Sequence, residues 1–147
     1  MNKLLTSTAL SLLLIGFSGG ASGQDFEETK RLAEQGDASA QYNLGSMYRT
    51  GDGVPENDAE AVRWYRLAAE QGDAVAQNNL AAMYAYGDGV PQNNVRAYVW
   101  WSVGAAQGLQ SARNNRDIIA ERLTPEQRAR GQEMATRCFE SDYQDCE

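Results

Sequence analysis

Apolar positions along the chain fall into three regimes. The first is a block. After Met1-Asn2-Lys3, residues 4–17 are apolar apart from Thr6, Ser7, Thr8, Ser11 and Gly16, and small residues run from Ser18 to Gly23. A charged start, an apolar stretch and a small-residue end are the order of a secretory leader. Ala21 and Gly23 suit the small positions ahead of cleavage. Residues 1–23 are therefore read as leader and Gln24 as the mature start, with a cut after Ala21 as the alternative. The block is too short to span a bilayer comfortably, and no later stretch approaches the roughly 20 apolar residues of a spanning helix. No cysteine follows it to carry a lipid anchor. The expectation is an exported chain, periplasmic or secreted, with no stable membrane insertion once the leader is removed.

The second regime has helical spacing, and it repeats. Ala40, Leu44, Met47 and Tyr48 fall at i, i+4, i+7 and i+8, one face of an α-helix. Gly51-Asp52-Gly53-Val54-Pro55 breaks that helix, and Asn57 or Asp58 is placed to cap the next. The second helix carries Ala61, Trp64, Tyr65 and Ala68 on one face. The same pattern returns 36 residues later: Ala76-Gln77, Leu80, Met83-Tyr84, Gly87-Asp88-Gly89-Val90-Pro91 and Trp100-Trp101. Ala33-Glu34-Gln35-Gly36-Asp37 likewise recurs as Ala69-Glu70-Gln71-Gly72-Asp73, and in degraded form as Ala105-Ala106-Gln107-Gly108-Leu109. A fixed period of this size marks a stacked repeat, in which each unit buries its apolar face on its neighbours. The units are placed at 38–73 and 74–109.

The ends form the third regime and depart from the pattern. Residues 24–37 match only a second helix and are rich in charge. Residues 110–147 lose the Gly-x-Gly loop; in its place Leu123-Thr124-Pro125-Glu126-Gln127 reads as a helix stop and a capping-box restart. Gly131, Met134, Ala135 and Cys138 share one face of the last helix, which is otherwise polar, as a solenoid end requires. The chain is expected to be all-α: two helix-turn-helix units between a half-unit and a capping unit, or about three repeats.

Ala40-Gln41-Tyr42-Asn43-Leu44-Gly45, Met47-Tyr48, Gly51-Asp52-Gly53-Val54 and Ala61-Val62-Arg63-Trp64-Tyr65 resemble the Sel-one-like repeat, a relative of the tetratricopeptide repeats. Ala112-Arg113-Asn114-Asn115-Arg116-Asp117 with Leu123 to Gln127 is similar to the closing unit of bacterial members. The resemblance implies a tetratricopeptide-like, right-handed α-α superhelix that serves protein association. It also implies a concave face on the first helices, at Tyr42, Asn43, Ser46 and Arg49, then Asn78, Asn79, Ala82 and Ala85, with Tyr86 just beyond. Asn43, Asn79 and Asn115 recur at the same period. They would either hold an extended peptide as an amide ladder, or satisfy neighbouring backbone groups and water.

Composition narrows the chemistry. The formal net charge is −7, and no basic run along the chain offsets it, so nucleic acid is a poor partner. There is no histidine, which removes Ser-His-Asp and Cys-His sites and histidine-ligated metals. No Gly-Lys-Ser/Thr follows the Gly-Asp-Gly loop, so it is not a phosphate loop. Cys138 and Cys146, the only cysteines, are expected to pair in an exported chain and fold the tail back. Trp64, Tyr65, Trp100 and Trp101 suit inter-helix core packing better than a stacking platform, with one member of each pair expected to be partly exposed. No cofactor and no metal are expected. The reading is an exported module that binds a protein or peptide, as a scaffold or adaptor in the cell envelope, with a homodimer as a further option. The alternative that the family resemblance implies, through its cysteine-rich exported members, is a cell-wall-associated or β-lactam-hydrolysing enzyme, although no Ser-x-x-Lys motif is present.

Overall fold

The computed structural model describes residues 21–147. The leader assigned to residues 1–23 lies outside them, except that its last three residues open the first helix. Seven helices follow in order: α1 (Ala21–Glu34), α2 (Ala38–Thr50), α3 (Asp58–Glu70), α4 (Ala74–Tyr86), α5 (Asn94–Ala106), α6 (Gln110–Ala120) and α7 (Pro125–Glu140). No strand occurs among the described residues. This is the all-α superhelix of helix-turn-helix units.

Local chemistry sets the boundaries at the same places in both units. Asp37 and Asp73 cap α2 and α4, accepting from the backbone N–H of Ala40 at 2.7 Å and of Ala76 at 2.8 Å. Asn57 and Asn93 do the same for α3 and α5, so of the two caps considered for α3 it is Asn57 that serves. A side-chain acceptor here satisfies one of the otherwise orphaned first-turn N–H groups. Gly51 and Gly87 end α2 and α4 in the left-handed region, at φ 71° and 76°. α6 follows the degraded motif and has Leu109 where Asp73 stood, so its start lacks a side-chain cap. α7 begins with a reciprocal capping box between Thr124 and Gln127.

α2 packs on α3, and α4 on α5. The closing unit breaks this rule, because α6 and α7 each pack on α5. The main core runs from Ala61 to Cys146 and is filled by Tyr65, Leu80, Tyr84, Trp100 and Val103. A smaller cluster of Phe26, Ala33, Ala40, Leu44 and Trp64 seats α1 on the first unit. Both members of each aromatic pair are buried: Trp64 is 4%, Tyr65 1%, Trp100 0% and Trp101 5% exposed. The expectation that one of each pair would reach solvent is corrected. Residues about 100° apart on a helix are both covered when helices lie on two sides of it, as α4, α6 and α7 do around α5.

The units are also joined by buried amides. Gln41 donates to the Ala33 carbonyl at 3.2 Å and accepts from Gln71 at 2.7 Å. One period later, Gln77 donates to the Ala69 carbonyl at 3.0 Å and accepts from Gln107 at 2.7 Å. Each glutamine therefore ties the end of one helix pair to the start of the next. The sequence shows these residues repeating, but the contact exists only once the helices stack.

Candidate partner-binding surface

The first-helix residues expected to bind a partner divide in two. Asn43 and Arg49 are exposed, and Tyr86 is 71% exposed. Tyr42, Ser46, Asn78, Asn79 and Ala82 are half-buried, several of these are committed to the fold, and Ala85, expected on the same face, is instead buried in the core. Tyr42 lies against Tyr65, with ring centroids 5.9 Å apart, and the Ser46 hydroxyl is 3.2 Å from the Tyr65 hydroxyl. Asn78 accepts from the Trp101 indole N–H at 3.0 Å and from the Asn115 amide at 3.3 Å. Of the three asparagines spaced by 36, Asn115 thus contacts Asn78, the neighbour of Asn79. The buried ladder of the fold runs through Gln41 and Gln77.

Between α4 and α6 the surface forms a shallow pocket of about 90 Å³. Tyr86, Trp101, Asn115, Ile118 and Arg122 are among its lining residues. Ile118, 56% exposed, stands with Tyr86 among the large apolar side chains left in water. Ile118 stands one period after Ala82 and two after Ser46, so the repeat marks its register; that this larger side chain stays in water is visible only in the fold.

The tail builds a second polar site. Cys138 and Cys146 form the expected disulfide, and both are buried. The enclosed turn places Asp142 and Tyr143 at positive φ and returns the chain toward α3. There Gln144 donates to the Glu70 carbonyl at 3.0 Å. The Glu147 carboxylate accepts from Arg66 Nε at 3.1 Å and from the Tyr84 hydroxyl at 2.6 Å, while Arg66 also donates to Tyr84 at 2.7 Å. Burial opposes the Arg66 charge, but Glu147 and Tyr84 hold its pKa above the ordinary value. Burial, then Glu147, pushes the Tyr84 phenol up. Burial likewise raises the nearby Glu70 carboxyl. Among the described residues, no group of three or more histidine, cysteine or acidic side chains is placed to hold a metal.

The Sel1 repeat model matches residues 38–73 and 74–109. These two units are Sel1 repeats. Solved structures agree. The chain is similar to a protective antigen of uropathogenic Escherichia coli strains with an SLR fold, at TM-score 0.77 and 30% identity over 86% of this chain and 28% of that one. It is also similar to a Sel1 repeat protein from Oxalobacter formigenes, at TM-score 0.62 and 36% identity over 65% of this chain and 38% of that one. Among curated proteins it is 39% identical over 62 residues to an exopolysaccharide production negative regulator of Rhizobium meliloti. That match covers 40% of this chain and 23% of the regulator. The chain thus spans well under half of each relative. Sel1 repeats are in general non-enzymatic modules of protein–protein interaction.

Proposed function

We propose that this protein is an exported binding module for another protein or peptide, acting as a scaffold or adaptor in the cell envelope, and that the partner docks along the first helices into the α4–α6 pocket. The observation that carries the reading is Tyr86 and Ile118 standing exposed beside that pocket in a stack of Sel1 repeats. An aromatic and an aliphatic side chain left in water around a concavity are what a partner would desolvate. The leader-like start and the paired cysteines support export to an oxidising compartment. The exopolysaccharide regulator that it resembles supports a regulatory rather than a catalytic role for the bound complex.

The test is a photo-crosslinking side chain at position 86 in cells. A crosslinked product that fractionates with the envelope and disappears in an Ile118→Asp background is the expected result. Crosslinks unchanged by Ile118→Asp, or found only in the cytoplasm, would remove the reading.

A further inference from the structure

The chain carries a formal charge of −7, and no basic run is visible along it. Folding nevertheless gathers arginines from separate helices. Arg96 from the first turn of α5, and Arg130 and Arg137 from α7, line a cleft of about 460 Å³. Two acids line the same cleft, Glu133 and Glu147. Glu147 is already hydrogen-bonded to Arg66 and Tyr84 at its inner end, so its charge is largely spent there. The outer guanidiniums are loosely compensated. Arg96 lies 3.9 Å from Glu147 and Arg137 3.8 Å from Asp145, both beyond hydrogen-bond distance, and no ion pair to Arg130 occurs among the described residues. The N-terminal end of α5, whose dipole favours negative charge, opens on the same space through Asn93 and Val95.

We propose that this cleft is a second interaction surface, taking an acidic segment of a partner protein whose carboxylates pair with Arg96, Arg130 and Arg137. It is separate from the α4–α6 pocket and does not depend on it. Guanidinium groups suit this ligand, because their fixed donors can grip a carboxylate two at a time. Most of that attraction is screened by salt at half-exposed positions, so ionic strength is part of the signature.

The probe is a fluorescent oligoglutamate peptide, titrated by anisotropy against the intact, disulfide-bonded protein. Binding at low salt should weaken steadily as salt rises, and an oligoglutamine peptide should bind at least about tenfold more weakly. The double variant Arg130→Glu/Arg137→Glu alters exposed positions on α7, and circular dichroism checks that it stays folded. It should bind oligoglutamate at least about tenfold more weakly than the parent, whereas Tyr86→Ser should bind it like the parent. Four results would each overturn the proposal: no binding at low salt, equal binding of oligoglutamine, binding that survives the charge reversal, or loss in Tyr86→Ser. Complete displacement by inorganic phosphate at the concentration of added salt would also overturn it, by making the cleft a small-anion site.

Discussion

The joint between the two Sel1 repeats and the joint that closes the stack solve the same problem with different chemistry. Between repeats, the connection is neutral and buried at its centre: Gln77, 0% exposed, links the Ala69 carbonyl to Gln107. Gly89 of the second loop lies against the backbone at the start of α3. At the closing end, the connection is charged, covalent and partly wet, through Glu147 on Arg66 and Tyr84 and through the Cys138–Cys146 bridge. A repeat unit finds the same surface on every neighbour, so short amides and close backbone approach are enough. The closing unit leaves the repeat, since α7 packs on α5 without taking up an α3-like place on α6. Its tail must then be held by groups that reach further.

Breaking the inter-repeat joint should cost most. A Cβ on Gly89 would sit 2.3 Å from the Asp58 carbonyl carbon and 2.6 Å from Ala59 N, in backbone that cannot swing aside, and at φ 66°. Gly89→Ala is expected to destabilise by about 4 kcal/mol, from left-handed strain plus overpacking. Chemical denaturation would reveal this as a large fall in midpoint, and a variant as stable as the parent would contradict the close approach.

The amides come next. Gln77→Ala removes the side-chain donor from the Ala69 carbonyl, which keeps its bond from the Gly72 N–H, and opens a void, for an expected loss of about 3 kcal/mol. Gln41→Ala should cost about half as much, because Gln41 is 5% exposed and, although it also accepts from Gln71, the helix it ties to the stack is the half-unit α1. Equal losses in the two variants would show that the ladder does not strengthen toward the middle of the stack.

The closing joint should cost less to break than the Gln77 link. Cys138→Ser/Cys146→Ser removes a bridge spanning eight residues, so the loss should stay below about 3 kcal/mol, the figure for a fifteen-residue loop. Hydrogen exchange should then quicken at residues 141–147 while the amides around Gln77 keep their protection. Loss of protection across both repeats would mean that the bridge supports the whole stack.

Much of this was legible beforehand, and for identifiable reasons. The period of 36, the helix faces, the loop glycines and the Thr124–Gln127 capping box are local or repeated signals, readable wherever neighbours in sequence act on each other. The burial of both aromatics in each pair was misjudged, because that depends on how many helices surround α3 and α5. Of the surface residues read from the first helices, Tyr86, Asn43 and Arg49 are exposed, while Asn78 and Ser46 are occupied within the fold. Ile118 shares the register of Ser46 and Ala82, but its exposure depends on how α6 packs on its neighbours.

The sequence by itself determined the architecture, because periodic apolar faces and capping residues act over a few positions and repeat. It also determined that the two cysteines, eight positions apart, could close a turn. Only the tertiary structure decided where that turn leads. It set Glu147 against Arg66, 81 positions away in the chain, and brought Arg96 to Arg130 and Arg137. Charge interactions act through space and carry no periodic trace along the chain, so they appear only after the helices are stacked.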